Sequence, residues 1–331
     1  RFTGTLLILS STIWMNMTDK LAQLRKFSDV VADTGDIEAI RRFQPLDATT
    51  NPSLLLKAAA LPDYQELIKQ HAARVSARST EAELRSTINN LAVAIGSEIA
   101  SIVPGRVSTE IDAHLSFDTQ STIKQAQQII GLYADKGIAA DKVLIKIAST
   151  WEGIAAARQL EKEGIQCNLT LLFGFAQARA CADAGVTLIS PFVGRIYDWY
   201  KAQGEAQKSA NDDRGVQSVK RIFNYYKKHN YKTIVMGASF RNTGQIEALA
   251  GCDRLTISPA LLEELSLKEG ELYQNLFADK AKSADKKASV NEQQFRFELN
   301  DDAMATEKLA EGIRLFAADQ RKLQQLLVDM G

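Results

Sequence analysis

The sequence predicts an α/β fold: a (β/α)8 barrel in a single domain. Three observations carry this. Eight short apolar runs alternate with long helical patterns along the chain. Most of these runs are continuous rather than alternating, as strands of a parallel sheet covered on both faces must be. Polar residues stand at the carboxyl ends of many different runs, and a closed barrel gathers such residues into one mouth. An open doubly wound sheet is the rival arrangement, and it would not collect polar groups at so many strand ends.

The expected strands, in order, are 30–33, 48–50, 107–110, 143–147, 168–172, 187–190, 233–236 and 254–257. The segments between them read as helices. Over 81–102 the apolar residues Leu84, Ile88, Leu91, Ile95, Ile99 and Ile102 recur every three or four positions, which is one face of a helix. Ser149 and Glu152 have the spacing of a capping box, which opens the helix carrying Ile154 and Leu160. Gly137, Gly164, Gly185 and Gly251 stand where helices should stop. The charge-rich stretch 278–291 reads as an exposed loop before a last helix over about 302–328. A length of 331 residues allows two domains, but a barrel of this kind accommodates about 250 residues or more as one.

Composition removes several function classes. Lys+Arg and Asp+Glu are both 40, so the chain lacks the basic surplus of a general nucleic-acid binder. Cys167, Cys181 and Cys252 form no CxxC pair and no disulfide framework, which fits a reducing compartment. The three histidines are scattered and no HExxH is present, so no zinc site is expected. GxGxxG and GxxxxGK[ST] are also missing. The apolar stretch 6–13 is too short to span a bilayer, and no small-residue cleavage site follows it convincingly. Residues 1–16 are therefore expected to be a cloning-derived or upstream-translated extension, with Met17 the natural start and 17–331 the barrel domain.

The strand ends carry the candidate chemistry. Lys146 interrupts Val-Leu-Ile-Lys-Ile-Ala, a run otherwise suited only to burial. A buried ammonium is costly, and desolvation favours the neutral amine, which can attack a carbonyl and form a Schiff base. A lysine paired with a carboxylate is the alternative reading. Lys57, after the helix-start signal Asn51-Pro52-Ser53, is expected on the wet side of a helix. Asp33 and Glu110 are strand-end carboxylates able to move protons in a partly dry site, or simply to form salt bridges. Asn51, Asn168, Thr170 and Ser190 are short donors and acceptors suited to substrate hydroxyls or a water. Ser239 and Arg241 follow the seventh strand, where this fold recurrently binds phosphate at a helix N-terminus. Arg195, expected in the loop after the sixth strand, is a second candidate cation.

Two strings, Asp47-Ala48-Thr49-Thr50-Asn51-Pro52-Ser53 and Val143-Leu144-Ile145-Lys146-Ile147-Ala148-Ser149-Thr150-Trp151, resemble the signature motifs of the transaldolase family. Segments 105–110, 167–173, 189–195 and 236–241 match the same family in the same order, and the likeness runs from Met17 nearly to the end. It is greatest to the bacterial transaldolase B type. The resemblance implies a barrel enzyme of the pentose phosphate pathway that passes a dihydroxyacetone unit from sedoheptulose 7-phosphate to glyceraldehyde 3-phosphate. Lys146 would be the Schiff-base lysine and Asp33 the base for bond cleavage, while Glu110 would act through a water held by Thr170. Asn51, Asn168 and Ser190 would hold the dihydroxyacetone part, with Phe192 also binding substrate. Arg195, Ser239 and Arg241 would hold phosphate. The resemblance further implies a cytoplasmic homodimer with sugar-phosphate substrates, no cofactor, no metal, no nucleic acid and no membrane. Gly174 departs from the pattern, which has Ser there. The rivals are a Schiff-base aldolase that releases free dihydroxyacetone and a silent sugar-phosphate-binding barrel.

Overall fold

Eight parallel strands close into a ring in chain order: β1 Asp29–Asp33, β2 Asp47–Thr49, β3 Val107–Glu110, β4 Val143–Ala148, β5 Cys167–Leu172, β6 Leu188–Pro191, β7 Ile234–Gly237 and β8 Arg254–Ile257. This is a computed structural model, and it describes residues 19–205 and 209–331. The extension expected over 1–16 lies outside the described residues. Each strand pairs with its successor, and β8 returns to β1 with Thr256 opposite Val31. The (β/α)8 barrel expected from the sequence is therefore the observed fold, with strand bounds within one residue of those expected.

Strand periodicity places the chemistry. Side chains alternate between the barrel interior and the helical shell. Val31, Leu144, Leu188 and Met236 pack on one another as the interior floor. Their neighbours Val30, Ala32, Ile145, Ile189 and Val235 join the outer core beneath the helices. Two residues further along each strand the side chain faces inward again, one layer above the floor. Those positions are Asp33, Lys146, Ser190 and Ala238.

One strand breaks the alternation. The β5–β6 register moves from Leu169↔Ile189 to Leu172↔Pro191, so β5 carries an extra residue. Leu171 takes it up at φ 50°, in the left-handed region. Both Thr170 and Leu171 thereby turn to the mouth, and Leu171 joins an apolar cluster with Phe173, Phe192, Leu309, Ile313 and Phe316.

The helix Glu81–Ile102 forms as its periodicity predicts, closed at its start by a Thr80–Glu83 capping box. Gly137, Gly164, Gly185 and Gly251 all have positive φ, the helix-ending geometry expected of them. The expected Ser149 cap is corrected: Thr150 caps Trp151–Lys162 by accepting from Gly153 N. Ser149 Oγ donates instead to the Thr170 carbonyl across to β5. The stretch 278–291 is irregular as expected, apart from a single turn at Ala278–Lys280. A helix Glu292–Asp301 precedes Ala303–Met330, and Asp302 caps the latter through Ala305 N. This final helix lays Leu309, Ile313 and Phe316 across the carboxyl ends of the strands as a roof. No described helix is long and apolar enough to cross a membrane.

Candidate active site

A cavity of about 60 Å³ opens at the carboxyl end of the barrel. It is lined by Asp33, Asn51, Lys146, Thr170, Ser190, Phe192, Arg195 and Ser239, all expected from the sequence, and by Thr49, Ala238, Thr256 and Phe316, which were not. Phe316 also borders the small adjoining cavity that contains Glu110.

Lys146 is buried, and its Nζ donates to the Thr50 carbonyl at 3.1 Å. The same nitrogen lies 3.1 Å from Glu110 Oε2. Lys146 is paired with a carboxylate, as the alternative reading expects, and it also faces the cavity. Lys57 is exposed on the helix Pro52–Ala58, as expected. Burial raises the Glu110 pKa above the ordinary carboxylate value, against the pull of Lys146 and Arg195, and Asp33 adds to the rise. Burial also raises Asp33, while Lys146, a hydrogen bond from Thr49, Arg195 and Lys57 pull it back only in part. Each of these carboxyl groups therefore holds a proton more tightly than it would in water.

The polar residues differ in their freedom. Asn51 spends its carbonyl oxygen capping the helix Pro52–Ala58 through Leu54 N, so its amide NH2 is what it can offer a ligand. Asn168 is fully buried and does not line the cavity. It accepts from Ser190 Oγ at 2.6 Å and donates to Ser108 Oγ at 3.1 Å, so it acts on the cavity through Ser190. Thr170 Oγ1 is buried with no hydrogen-bond partner among the described residues. A buried hydroxyl of this kind needs a partner, and a bound water or substrate hydroxyl would supply it.

Arg195 heads the helix Gly194–Ala202 and is not in a loop, which corrects the sequence expectation. Its guanidinium carbon stands 5.1 Å from the Phe192 ring centre and 5.4 Å from that of Phe316. It forms no ion pair among the described residues, and Nη1 is buried without a hydrogen bond. Burial and the nearby Arg241 both lower its pKa. A half-buried cation held between rings with no carboxylate partner is suited to an anionic ligand.

Arg241 is different. It stands at the rim, outside the lining, and Nη2 pairs with Asp198 at 2.7 Å. Its Nη1 lies 3.4 Å from Ser239 Oγ, and Ser239 has φ 60°. The turn approaches the start of the Arg195 helix so closely that a Cβ on Gly194 would run into the Ser239 carbonyl. Two of the amides after β7 are engaged locally: Asn242 accepts from Gln245 N and Gln245 accepts from Arg241 N. Gly174 starts the helix Phe175–Ala184 and faces Ala305 of the roof, away from the cavity.

Thr256 had a legible signal, a hydroxyl inside the apolar run Arg-Leu-Thr-Ile, the same kind of signal that singled out Lys146. Phe316 had none, because it belongs to a helix far along the chain whose packing over the mouth is a tertiary matter.

Comparison with known proteins agrees with this geometry. The family model described as transaldolase/fructose-6-phosphate aldolase matches residues 30–327. A protein named transaldolase from Cellvibrio japonicus is 62% identical over 313 residues, covering 94% of this chain and 98% of that protein. Transaldolases from Alteromonas mediterranea and Methylobacillus flagellatus are 60% and 57% identical, covering 94% and 95% of this chain and 98% and 99% of their own lengths. The closed barrel, a family model spanning most of the chain and 57–62% identity over 94–95% of it agree, and the chain belongs to the transaldolase/fructose-6-phosphate aldolase family.

Proposed function

We propose that this protein is a transaldolase that moves a dihydroxyacetone unit from sedoheptulose 7-phosphate to glyceraldehyde 3-phosphate, giving erythrose 4-phosphate and fructose 6-phosphate. The observation that carries this is Lys146, buried in the barrel mouth, 3.1 Å from Glu110 and facing a cavity shared with Asp33 and Arg195. Passing a proton from Lys146 to Glu110 frees the amine to attack the ketone. The carbinolamine must then lose water, and a proton from Glu110, relayed by a water on Thr170, protonates the departing hydroxyl. Asp33 takes the proton from the hydroxyl beside the bond to be broken. The electron pair of that bond moves into the iminium, the aldehyde phosphate leaves, and the enamine stays on Lys146. Attack of the enamine on the acceptor aldehyde and the reverse steps complete the transfer. Asn51 and Ser190, with Asn168 behind Ser190, hold the dihydroxyacetone hydroxyls. Arg195, Ser239 and Arg241 hold phosphate, with Arg241 turning from Asp198 to do so.

On the same reading, residues 17–331 work as one barrel domain, as a homodimer in the cytoplasm, within the pentose phosphate pathway. The motif resemblance supports this part.

Borohydride reduction in the presence of fructose 6-phosphate is expected to add a dihydroxyacetone-sized mass to the peptide that contains Lys146 alone. Labelling of Lys57, or free dihydroxyacetone released at the rate of transfer when no acceptor aldehyde is supplied, overturns the transaldolase reading.

A further inference from the structure

Three side chains from three strands meet at the barrel's closing seam. Asp33 ends β1, Thr49 ends β2, and Thr256 lies within β8. Thr49 Oγ1 donates to Asp33 Oδ1 at 3.0 Å, and the Thr49 and Thr256 hydroxyl oxygens are 2.8 Å apart. Thr49 is 2% exposed and Thr256 4%, so bulk water does not compete for these bonds. A hydroxyl has one proton. When Thr49 gives its proton to Asp33, the short contact to Thr256 requires Thr256 to be the donor. Without that donor, the Thr49 proton is free to turn to the Ala32 carbonyl, 3.5 Å away.

We propose that Thr256 is a positioning residue for the reaction: by donating to Thr49 it commits the Thr49 proton to Asp33 Oδ1, leaving Oδ2 free to take the substrate proton. This rests on Asp33 being the base of the proposed transaldolase reaction. The bonds form a chain in which each donor polarises the next, so the outer hydroxyl acts on the carboxylate without touching it.

The charged groups facing Asp33 are Lys146 from β4, Arg195 from the helix after β6, Lys57 from the helix after β2, and Glu110 from β3. Thr256→Val leaves all four in place and keeps the side-chain shape, removing only the hydroxyl. A hydrogen bond donated to a carboxylate favours its charged form, so losing part of that donation raises the pH at which Asp33 ionises.

The test is the pH profile of kcat/KM for dihydroxyacetone transfer in wild type, Thr256→Val, Thr256→Ser and Thr49→Val. The acid limb is expected to move up by about half a pH unit in Thr256→Val and by about one unit or more in Thr49→Val. Thr256→Ser, which keeps the donor, is expected to return the limb to its wild-type position. An unmoved limb in Thr256→Val, or a Thr256→Ser limb that moves equally, overturns the relay. A change in KM alone shows that Thr256 touches substrate only, and it overturns the relay too. Absence of transfer in the wild type is a separate outcome: it refutes the transaldolase reading and takes this inference with it.

Discussion

Asp33 and Glu110 are two carboxyl groups raised by burial in one small volume, and the two sit differently toward Lys146. Glu110 is within 3.1 Å of the amine, whereas Asp33 is tied to Thr49 across the cavity. Their substitution should therefore stall the reaction at different points. Asp33→Asn is expected to form the six-carbon adduct with fructose 6-phosphate and cleave it slowly. Glu110→Gln is expected to slow adduct formation itself. General acid–base groups contribute about 10²–10⁴-fold, so a timed borohydride quench read by mass resolves both. Identical adduct accumulation in the two variants would refute this division of labour.

Stability gives Asp33 a second signature. Its folded pKa lies above the ordinary value of 3.8, so the native state binds the proton more tightly than the unfolded chain does. Stability is then lost as pH rises from 3.8 through the folded pKa. Asp33→Asn, which is neutral throughout, is expected to melt above wild type at neutral pH, on the order of 1–3 °C, with the gap closing below the unfolded pKa. A gap that widens on acidification would show that the carboxylate stabilises the fold.

At the scale of elements, the bulge in β5 decides which way Thr170 and Leu171 face, and Gln177 holds it. Gln177 is fully buried on the helix Phe175–Ala184. Its Nε2 donates to the Ser149 and Leu171 carbonyls at 2.9 and 3.0 Å. Its Oε1 accepts from Phe173 N and Gly174 N, both at 2.9 Å. One side chain thus ties the ends of β4 and β5 to the helix that follows. Gln177→Leu has a similar volume and orphans four buried backbone groups. At about 1–3 kcal/mol each, partly relieved by relaxation, the loss should reach roughly 4 kcal/mol or more in urea unfolding. A loss below about 1 kcal/mol would mean that other groups hold the bulge. Such a staple was not legible in the sequence, because Gln in a helix is an ordinary surface residue until the packing is known. The strands were legible, because an unbroken run such as Val-Leu-Ile-Lys-Ile-Ala leaves few alternatives to a buried parallel strand. Thr150, not Ser149, caps the next helix because Ser149 is recruited across the sheet by Thr170, a contact that no local pattern encodes.

For the whole molecule, the barrel supplies the reactive groups and the helix Ala303–Met330 encloses them. Asp33, Lys146 and Ser190 were readable because each is a polar residue at the end of, or interrupting, an apolar strand run. The roof was not, since it is set by long-range packing. Phe316 is 1% exposed, lines the cavity and lies against Arg195. Phe316→Ala is expected to destabilise by about 3–5 kcal/mol in denaturant unfolding. It should also raise KM for glyceraldehyde 3-phosphate more than for unphosphorylated glyceraldehyde, because Arg195 loses one of its two rings. Equal increases for both acceptors would assign Phe316 to enclosure alone.

The ring closes where β8 meets β1, and Thr49 and Thr256, 207 positions apart, touch there. A chain that has laid down seven strands has its lysine, its Glu110 and most of its cavity wall, but Asp33 still lacks the last member of its hydrogen-bonded chain. Contacts of such sequence separation form late, after the loop entropy between them has been overcome. Turnover in this protein is thus a report on topology: carbon–carbon cleavage at full rate certifies that the first and last staves of the barrel have been joined. In a refolding experiment, the return of cleavage should therefore lag the return of helical signal, making the enzyme its own assay for closure.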